Sequence, residues 1–510
     1  MQKLIRAKSE LFAVAVIVAA GTALRLWSPK MSADLWYDEV FSLIVAKQPF
    51  GVMMHSIFLG GDTNPPLYTL LLHLWIKLGD SDAHVKYLSL LFGVASICAA
   101  YLVARQVGGK YAGLVACLLL AVSPMAIYYS IEARPYAIFL FLSLLSTYFF
   151  LSAIRASEHR EGIPSGATIM PVGYLVATTL VLYTHWFGLL LVLIHTLGLV
   201  IYRPSTIRMT RRYALSLIVI GCSCLPLAPF LSNQLKLQAS VGGFQWPGQP
   251  GLHSLLELAL YTSGGRRSLA LTAAFFVIAC LGRAKQAPVE GSNLKRHTIF
   301  LSAYVLLPVI LVYVASTLIK EYTFFVPRYF LPFLVGVYVL VGIAALRVEW
   351  KMALACVLGL AAFPVFETVT HRQPPEKPYS RIASELSGRD APDVLIAHLS
   401  PASYYPVLHY RDSAATDKVL WDPASGGGYV IGYNVGGQML SEKDLVAIGT
   451  ASRKYKEFWV VVDPVAADPE TQSLAEWFKN NEALLMVSEQ QFGDVSLRHY
   501  KLLQSVSATP

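Results

Sequence analysis

The stretch DLWYDEVFSLIVAKQPFGVMMHSIFLGGDTNPP, Asp34–Pro66, follows directly on the first long apolar run, Leu11–Trp27, and its reading sets the parity of everything behind it. It opens with the carboxylate pair Asp38–Glu39, held between Trp36–Tyr37 and Phe41, and closes on Asn64-Pro65-Pro66. Stripping a carboxylate of water is expensive unless it is paired or working, so acids beside a membrane-embedding helix raise a functional hypothesis. The plainer reading is a solvated loop. Neighbouring residues on a helix point about 100 degrees apart, so the two acids cannot serve as an equivalent pair. One can face a cavity while the other packs.

Around this stretch the composition is that of a polytopic membrane protein. Of 510 residues 55% are hydrophobic and only 14% charged, with a mean hydropathy of +0.51, against about 25% charged in soluble domains. The net charge of +9 would suggest nucleic acid in a soluble chain. Here Lys and Arg cluster between apolar runs as topology signals, and no basic-aromatic nucleic-acid patch is evident. The six cysteines, Cys98, Cys117, Cys222, Cys224, Cys280 and Cys356, all lie in apolar runs, so no disulfide framework is implied. The first run is too long for a signal-peptide core and reads as an uncleaved anchor.

Spans placed by apolar length and oriented by Lys and Arg alternate consistently, with the N-terminus inside. Span two, about Leu88–Ala104, returns to Arg105 and Lys110, and span three, Ala112–Tyr129, leads out to Glu132 and Arg134. Span four, Tyr136–Ile154, comes back to Arg155; span five leads out to His185, and span six returns to Arg203–Arg212. Span seven opens an outer loop through Phe244–Pro247 to Arg266–Arg267, and span eight returns to Arg283–Arg296. Span nine emerges near Lys320 and Arg328, span ten returns to Arg347, and span eleven, Met352–Thr370, exports the remainder. The run Leu67–Leu78 is too short to cross, and a crossing there would put Arg203–Arg212 outside, against the positive-inside bias. It is expected to lie at the outer interface, starting at Pro65-Pro66.

From about Gln373 no segment is long and apolar enough to span, and a soluble α/β domain is expected over residues 373–510, after a membrane domain over 1–372 with an outer loop 28–87. DVLIAHL, 393–399, and EFWVVVD, 457–463, read as buried strands, and PETQSLAEWFKNNEALL, 469–485, has helical spacing. Ser425-Gly426-Gly427-Gly428 lacks the form of a phosphate cradle and reads as a loop.

With this topology nearly every unusual polar group of the membrane part falls on the outer side: Asp38, Glu39, Asp62, Glu132, Arg134, His185, Arg266, Arg267, Lys320 and Arg328. Arg134 precedes Pro135 at the start of span four, and Arg328 follows Pro327 at the mouth of span ten. Either could bind phosphate or snorkel to the interface. His185, between Thr184 and Trp186, is a candidate metal ligand or hydrogen-bond donor, against a plain structural role.

Five motifs in order, WYDE (36–39), TNPPLY (63–68), SPMAIYYSIEARPYA (123–137), YTHWFG (183–188) and PRYFLP (327–332), resemble the bacterial GT-C glycosyltransferases of the protein O-mannosyltransferase-like family. That group includes the lipid A aminoarabinose transferases and the rhizobial lipopolysaccharide-core galacturonosyltransferases. The resemblance implies a GT-C fold of about eleven transmembrane helices in the bacterial inner membrane, with the C-terminal domain periplasmic. It implies a polyprenyl-phosphate-linked sugar as donor, a glycan, lipid or protein acceptor, and an acid of the first outer loop as catalytic base. That acid maps to Asp38, with Glu39 completing the pair and Glu132 at the second acidic position. Tyr37, Asn64, Glu132, Arg134, Tyr136, His185, Arg266, Arg328 and Tyr329 are then the candidate substrate-binding residues. Relatives often carry Lys or His before the Pro pair, where this chain has Asn64. Relatives differ on metal use, so a divalent ion between Asp38, Glu132 and His185 stays an open alternative. The rivals are a transporter or flippase of lipid-linked sugars and a non-catalytic scaffold. Against the transporter, the chain shows no half-to-half repeat and no acid at a span centre.

Overall fold

The computed structural model describes residues 2–59, 62–158, 169–203, 207–240, 248–281, 294–320, 322–370, 377–411, 416–421, 445–463 and 469–503. Phe244–Pro247 and Ser425–Gly428 lie outside the described residues. The chain divides into two compact units. One comprises Met1–Met31, Asn64–Pro229 and Gly243–Arg372; the other comprises Ser32–Thr63, Phe230–Gly242 and Gln373–Pro510.

The first unit is helical and follows the apolar runs. Five helices are long and apolar enough to cross a membrane alone: Lys8–Leu26, Asp82–Val122, Tyr136–Ser157, Leu294–Leu318 and Pro327–Ala345. Leu252–Ser263 and Arg266–Leu281 pass only as a pair bent by 89°. Val172–Leu182, Gly188–Tyr202 and Trp350–Phe366 are shorter apolar helices, as is Leu67–Leu78. A straight helix of 41 residues would be about 60 Å long, twice a bilayer core, so Asp82–Val122 cannot be one span. Gly109 breaks it, with φ 75° and ψ −171°, a backbone conformation open to glycine but strained for other residues. The break falls between Arg105 and Lys110, where the sequence separates spans two and three. Span three differs from its expected single helix. Ser123 caps a new helix, Pro124–Ile131, by accepting from the Ala126 amide, and Pro124 opens it.

That break explains a buried charge that sequence reading passed over. The carbonyl of Leu120 would ordinarily accept from residue 124, which is proline and has no N–H. Arg25, fully buried, supplies the missing donors: its guanidinium donates to Ala121 O at 2.8 Å, Leu120 O at 3.4 Å, Gly21 O at 2.9 Å and Ser130 Oγ at 3.1 Å. Arg25→Leu would orphan carbonyls at about 1–3 kcal/mol each. The thermal midpoint of the detergent-solubilised protein is expected to fall by several degrees; an unchanged midpoint would show that the carbonyls find other donors.

The second unit holds a six-stranded sheet of order β3-β2-β1-β4-β6-β5. Its strands are β1 (Val394–His398), β2 (Asp417–Trp421), β3 (Leu445–Ala447), β4 (Glu457–Val462), β5 (Leu484–Phe492) and β6 (Val495–Leu502). The first four run parallel, and β6 and β5 close one edge antiparallel. β1 is buried at all five positions, as a central parallel strand covered on both faces must be. Ile396, Val461 and Leu497 face Tyr379, Ile382 and Leu386 on one side; Leu395, Phe458 and Val460 face Leu474 and Phe478 on the other. The helix expected over 469–485 ends at Asn480. Asn481 closes a turn there, its Oδ1 accepting from Ala483 N and its carbonyl from Leu484 N, both at 3.0 Å, and Leu484 opens β5 instead.

Between β1 and β2 lies a buried polar line. His398 Nε2 meets Asp417 Oδ1 at 3.1 Å, His398 Nδ1 meets Ser403 Oγ at 3.3 Å, and Arg411 Nε meets Asp417 Oδ2 at 3.1 Å. Ser403, His398 and Asp417 match a hydrolase triad in connectivity, but all three are fully buried, and Ser403 donates to the Ser400 carbonyl. Substrate has no access, and the line is a structural tie.

Candidate active site

The candidate residues singled out in the sequence are divided between the two units. In the second unit Asp38 and Glu39 occupy the first turn of the helix Tyr37–Lys47, where the positive helix end favours carboxylates. Their side chains part as neighbours on a helix must. Glu39 is fully buried, and its Oε2 accepts from the Trp36 amide at 3.2 Å, fixing the helix start. Its carboxylate is thereby engaged in helix geometry. Asp38 is half-buried, and Tyr37 stands beside it with its ring 6.2 Å from Phe41.

In the first unit the loops ahead of two helices bring Glu132, Arg134, Tyr136, His185, Arg328 and Tyr329 together. Arg134 lies just before Tyr136–Glu158, and Arg328 lies in the 3-10 turn Pro327–Phe330 that leads into Leu331–Ala345. The Arg328 guanidinium lies 5.5 Å from the Tyr136 ring centre and 5.7 Å from that of Tyr329. The Tyr329 ring is 4.8 Å from His185, and the fields of Arg328, Arg134 and Glu132 all reach Tyr136. Glu132, Arg134, Tyr136 and His185 are buried, at 1%, 6%, 1% and 4% exposure, whereas Arg328 and Tyr329 are only partly so. A close approach places Glu132: a Cβ on Gly93 would come within 2.2 Å of Ser130 Oγ, so only glycine lets the Pro124–Ile131 helix lie this near.

The TNPPLY segment is tied to the same loops. Leu67 N donates to Tyr183 O at 2.9 Å, two residues before His185. Tyr68 OH meets Ser89 Oγ at 3.4 Å, and Ser89 Oγ donates to Arg134 O at 3.3 Å. Asn64, at the head of the segment, is buried. Arg266, by contrast, is exposed at the start of its own helix, and none of the ring contacts or hydrogen bonds of the cluster involves it.

His185 is neutral in this setting. Burial first, then Arg328 and Arg134, push its imidazolium down to about 3. Nδ1 accepts from the Phe187 amide at 3.2 Å, and the ring stacks on Phe139 at 4.8 Å, so the proton sits on Nε2. That tautomer makes His185 a hydrogen-bond donor, and a metal at Nε2 would have to displace the proton. Among the described residues no group of three or more His, Cys, Asp or Glu is placed to hold a metal ion. With His185 neutral, two guanidiniums face one carboxylate. The balance is one positive charge, set before two helix N-termini, an arrangement suited to an anion.

A row of rings extends from this cluster. Tyr136 lies 5.3 Å from Tyr129, and Tyr129 lies 6.4 Å from Tyr261. Thr262, the next residue after Tyr261, lines an apolar cavity of about 400 Å³ together with Leu119, Leu258, Val305, Leu334 and Val341. Its polar rim is held by Tyr338, whose hydroxyl donates to Thr262 O at 3.0 Å and meets Ser123 Oγ at 2.9 Å.

Comparison with known proteins shows the fold. Residues 63–222 match the family described as dolichyl-phosphate-mannose-protein mannosyltransferase, a segment that contains Asn64, Glu132, Arg134, Tyr136 and His185. The fold is that of ArnT from Cupriavidus metallidurans, solved bound to undecaprenyl phosphate: TM-score 0.61 at 13% identity, covering 95% of this chain and 97% of that one. The apo state of the same protein gives 0.62. The archaeal oligosaccharyltransferase AglB from Archaeoglobus fulgidus, solved with an inhibitory peptide and a dolichol-phosphate, matches at 0.51 and 12% identity, over 99% of this chain and 75% of that one. No curated protein matches the chain by sequence. The chain has the GT-C membrane fold with a C-terminal α/β domain, and its segment 63–222 matches the mannosyltransferase family model. Its resemblance to the protein O-mannosyltransferase-like group, read from five short motifs, holds at the level of fold and family segment.

Proposed function

We propose that this protein moves a sugar from a polyprenyl-phosphate donor to an acceptor hydroxyl of a glycolipid, lipopolysaccharide, polysaccharide or protein, on the outer face of the bacterial inner membrane. The observation that carries this reading is the net-positive cluster of Arg134, Arg328, Glu132 and neutral His185, in the same compact unit as an apolar cavity. A ligand with a phosphate head and an isoprenoid tail combines the two chemistries. Arg328 and Arg134 would hold the phosphate, His185 would donate to it through Nε2, and the cavity would take the first isoprene units.

Transfer then needs one displacement. The acceptor oxygen attacks the anomeric carbon while the bond from that carbon to the phosphate oxygen breaks, and polyprenyl phosphate leaves with the electron pair. Asp38 takes the proton of the acceptor hydroxyl. Arg134 and Arg328 stabilise charge growing on the leaving phosphate, a contribution of about a few kcal/mol in comparable sites. Direct attack inverts the anomeric centre, and no second carboxylate is required as nucleophile. Purified protein in lipid vesicles, supplied with a panel of polyprenyl-phosphate sugars, tests the reading: release of polyprenyl phosphate together with a glycosylated acceptor supports it. Movement of intact donor across the bilayer without release would replace it with a transporter.

A further inference from the structure

We propose that the C-terminal α/β domain is a positioning device for the loop that carries Asp38, acting through Asp34 and Tyr410; this rests on the proposed role of Asp38 as base. Open parallel sheets bind ligands at the carboxyl ends of their strands, where the strand order reverses. In this sheet the reversal lies between β1 and β4. The side chain at the end of β4, Asp463, is 1% exposed and already engaged, accepting from Tyr379 OH at 2.6 Å and Lys377 Nζ at 2.9 Å. The chain's own linker holds the place of a small ligand.

What leaves that edge of the sheet reaches the Asp38 segment, within the same compact unit. The helix Pro401–Tyr410 follows β1 and sets the Tyr405 ring 6.2 Å from Tyr37, the residue before Asp38. At its end, the Tyr410 ring packs on the sheet's core, and its hydroxyl accepts from the Leu35 amide at 2.7 Å. Ser380, in the first turn of the helix opened by Tyr379, donates its amide to Asp34 Oδ2 at 2.7 Å. The Trp36 amide is taken by Glu39. Three consecutive residues, Asp34, Leu35 and Trp36, are thus hydrogen-bonded just ahead of Asp38, and Leu35 is fully buried. A base must be held within a fraction of an ångström of its target, and an error of about 1 Å can lower a rate about 100-fold. Tyr379 links the two ends of the device, fixed to Asp463 on one side and opening the helix that grips Asp34 on the other.

The test uses the full chain in lipid. Asp34→Ala and Tyr410→Phe should each lower kcat about tenfold and leave KM for the donor unchanged. Amide exchange over residues 37–47 should quicken in both, while exchange of β1 and β4 stays slow, which shows that the domain is still folded. Asp34→Asn keeps an oxygen for the Ser380 amide and should retain most of the turnover. Unchanged kcat, unchanged exchange at 37–47, or an equal loss in Asp34→Asn and Asp34→Ala would each overturn the proposal. The exchange readout does not depend on the chemistry. If Asp38→Asn turned over normally the base assignment would fall, and exchange at 37–47 would still decide whether this domain holds the loop.

Discussion

Asp38→Asn lowers transfer by about 10²–10⁴-fold, the range that positioned general bases contribute, while donor binding stays close to wild type. The amide keeps the shape of the side chain on the first turn of its helix and removes the proton acceptor. The neighbouring acid gives the internal control. Glu39→Gln retains an oxygen that can accept from the Trp36 amide, so it should disturb the helix start little and turnover far less than Asp38→Asn. Steady-state rates and donor affinities of the two variants, measured side by side, decide the matter. Near-normal turnover in Asp38→Asn, or a loss in Glu39→Gln equal to it, would remove Asp38 from the role of base.

Arg328→Ala weakens binding of polyprenyl phosphate by about 10–100-fold, the equivalent of about 1.5–3 kcal/mol for hydrogen bonds to a charged group. Arg328 is the partly open arginine of the cluster, with its guanidinium beside both Tyr136 and Tyr329, so its planar fork is held ready. Lysine keeps the charge and loses the fork, and Arg328→Lys should retain part of the affinity. Equilibrium binding of polyprenyl phosphate and of neutral polyprenol separates the two readings of this residue. The alcohol should bind wild type and Arg328→Ala alike. Equal weakening for both lipids would make Arg328 an interfacial anchor.

What could be read from the sequence was what has a period or a charge rule. Apolar length located the helices, and the Arg105–Lys110 interval marked the division that Gly109 makes inside a 41-residue helix. Runs of buried β-branched and aromatic residues marked β1 and β4. Hidden from such reading was whatever depends on one backbone group meeting a distant side chain. Arg25 looks like a basic residue at a span end, and only the carbonyls of Leu120 and Ala121, at the helix end before Ser123-Pro124, explain its burial. β5 was concealed because Leu484 continues the helical spacing of Leu474 and Trp477, and the turn at Asn481 carries no periodic signal. The partition of the chain was hidden too: residues 32–63 belong with 373–510, a link made by Asp34, Leu35, Ser380 and Tyr410 across more than 300 positions. In the cluster, position at a helix mouth was legible for Arg134, His185 and Arg328. The neutral tautomer of His185 was not, since it follows from the Phe187 amide and from burial.

The central claim is a single displacement at the anomeric carbon by a hydroxyl that Asp38 deprotonates. Its most direct test is the anomeric configuration of the product formed by the purified protein in lipid from a polyprenyl-phosphate sugar of defined anomer. The account predicts one equivalent of polyprenyl phosphate released per glycoside formed, with the opposite anomeric configuration. A product that retains the donor's configuration, or release of polyprenyl phosphate with no glycoside formed, would contradict it.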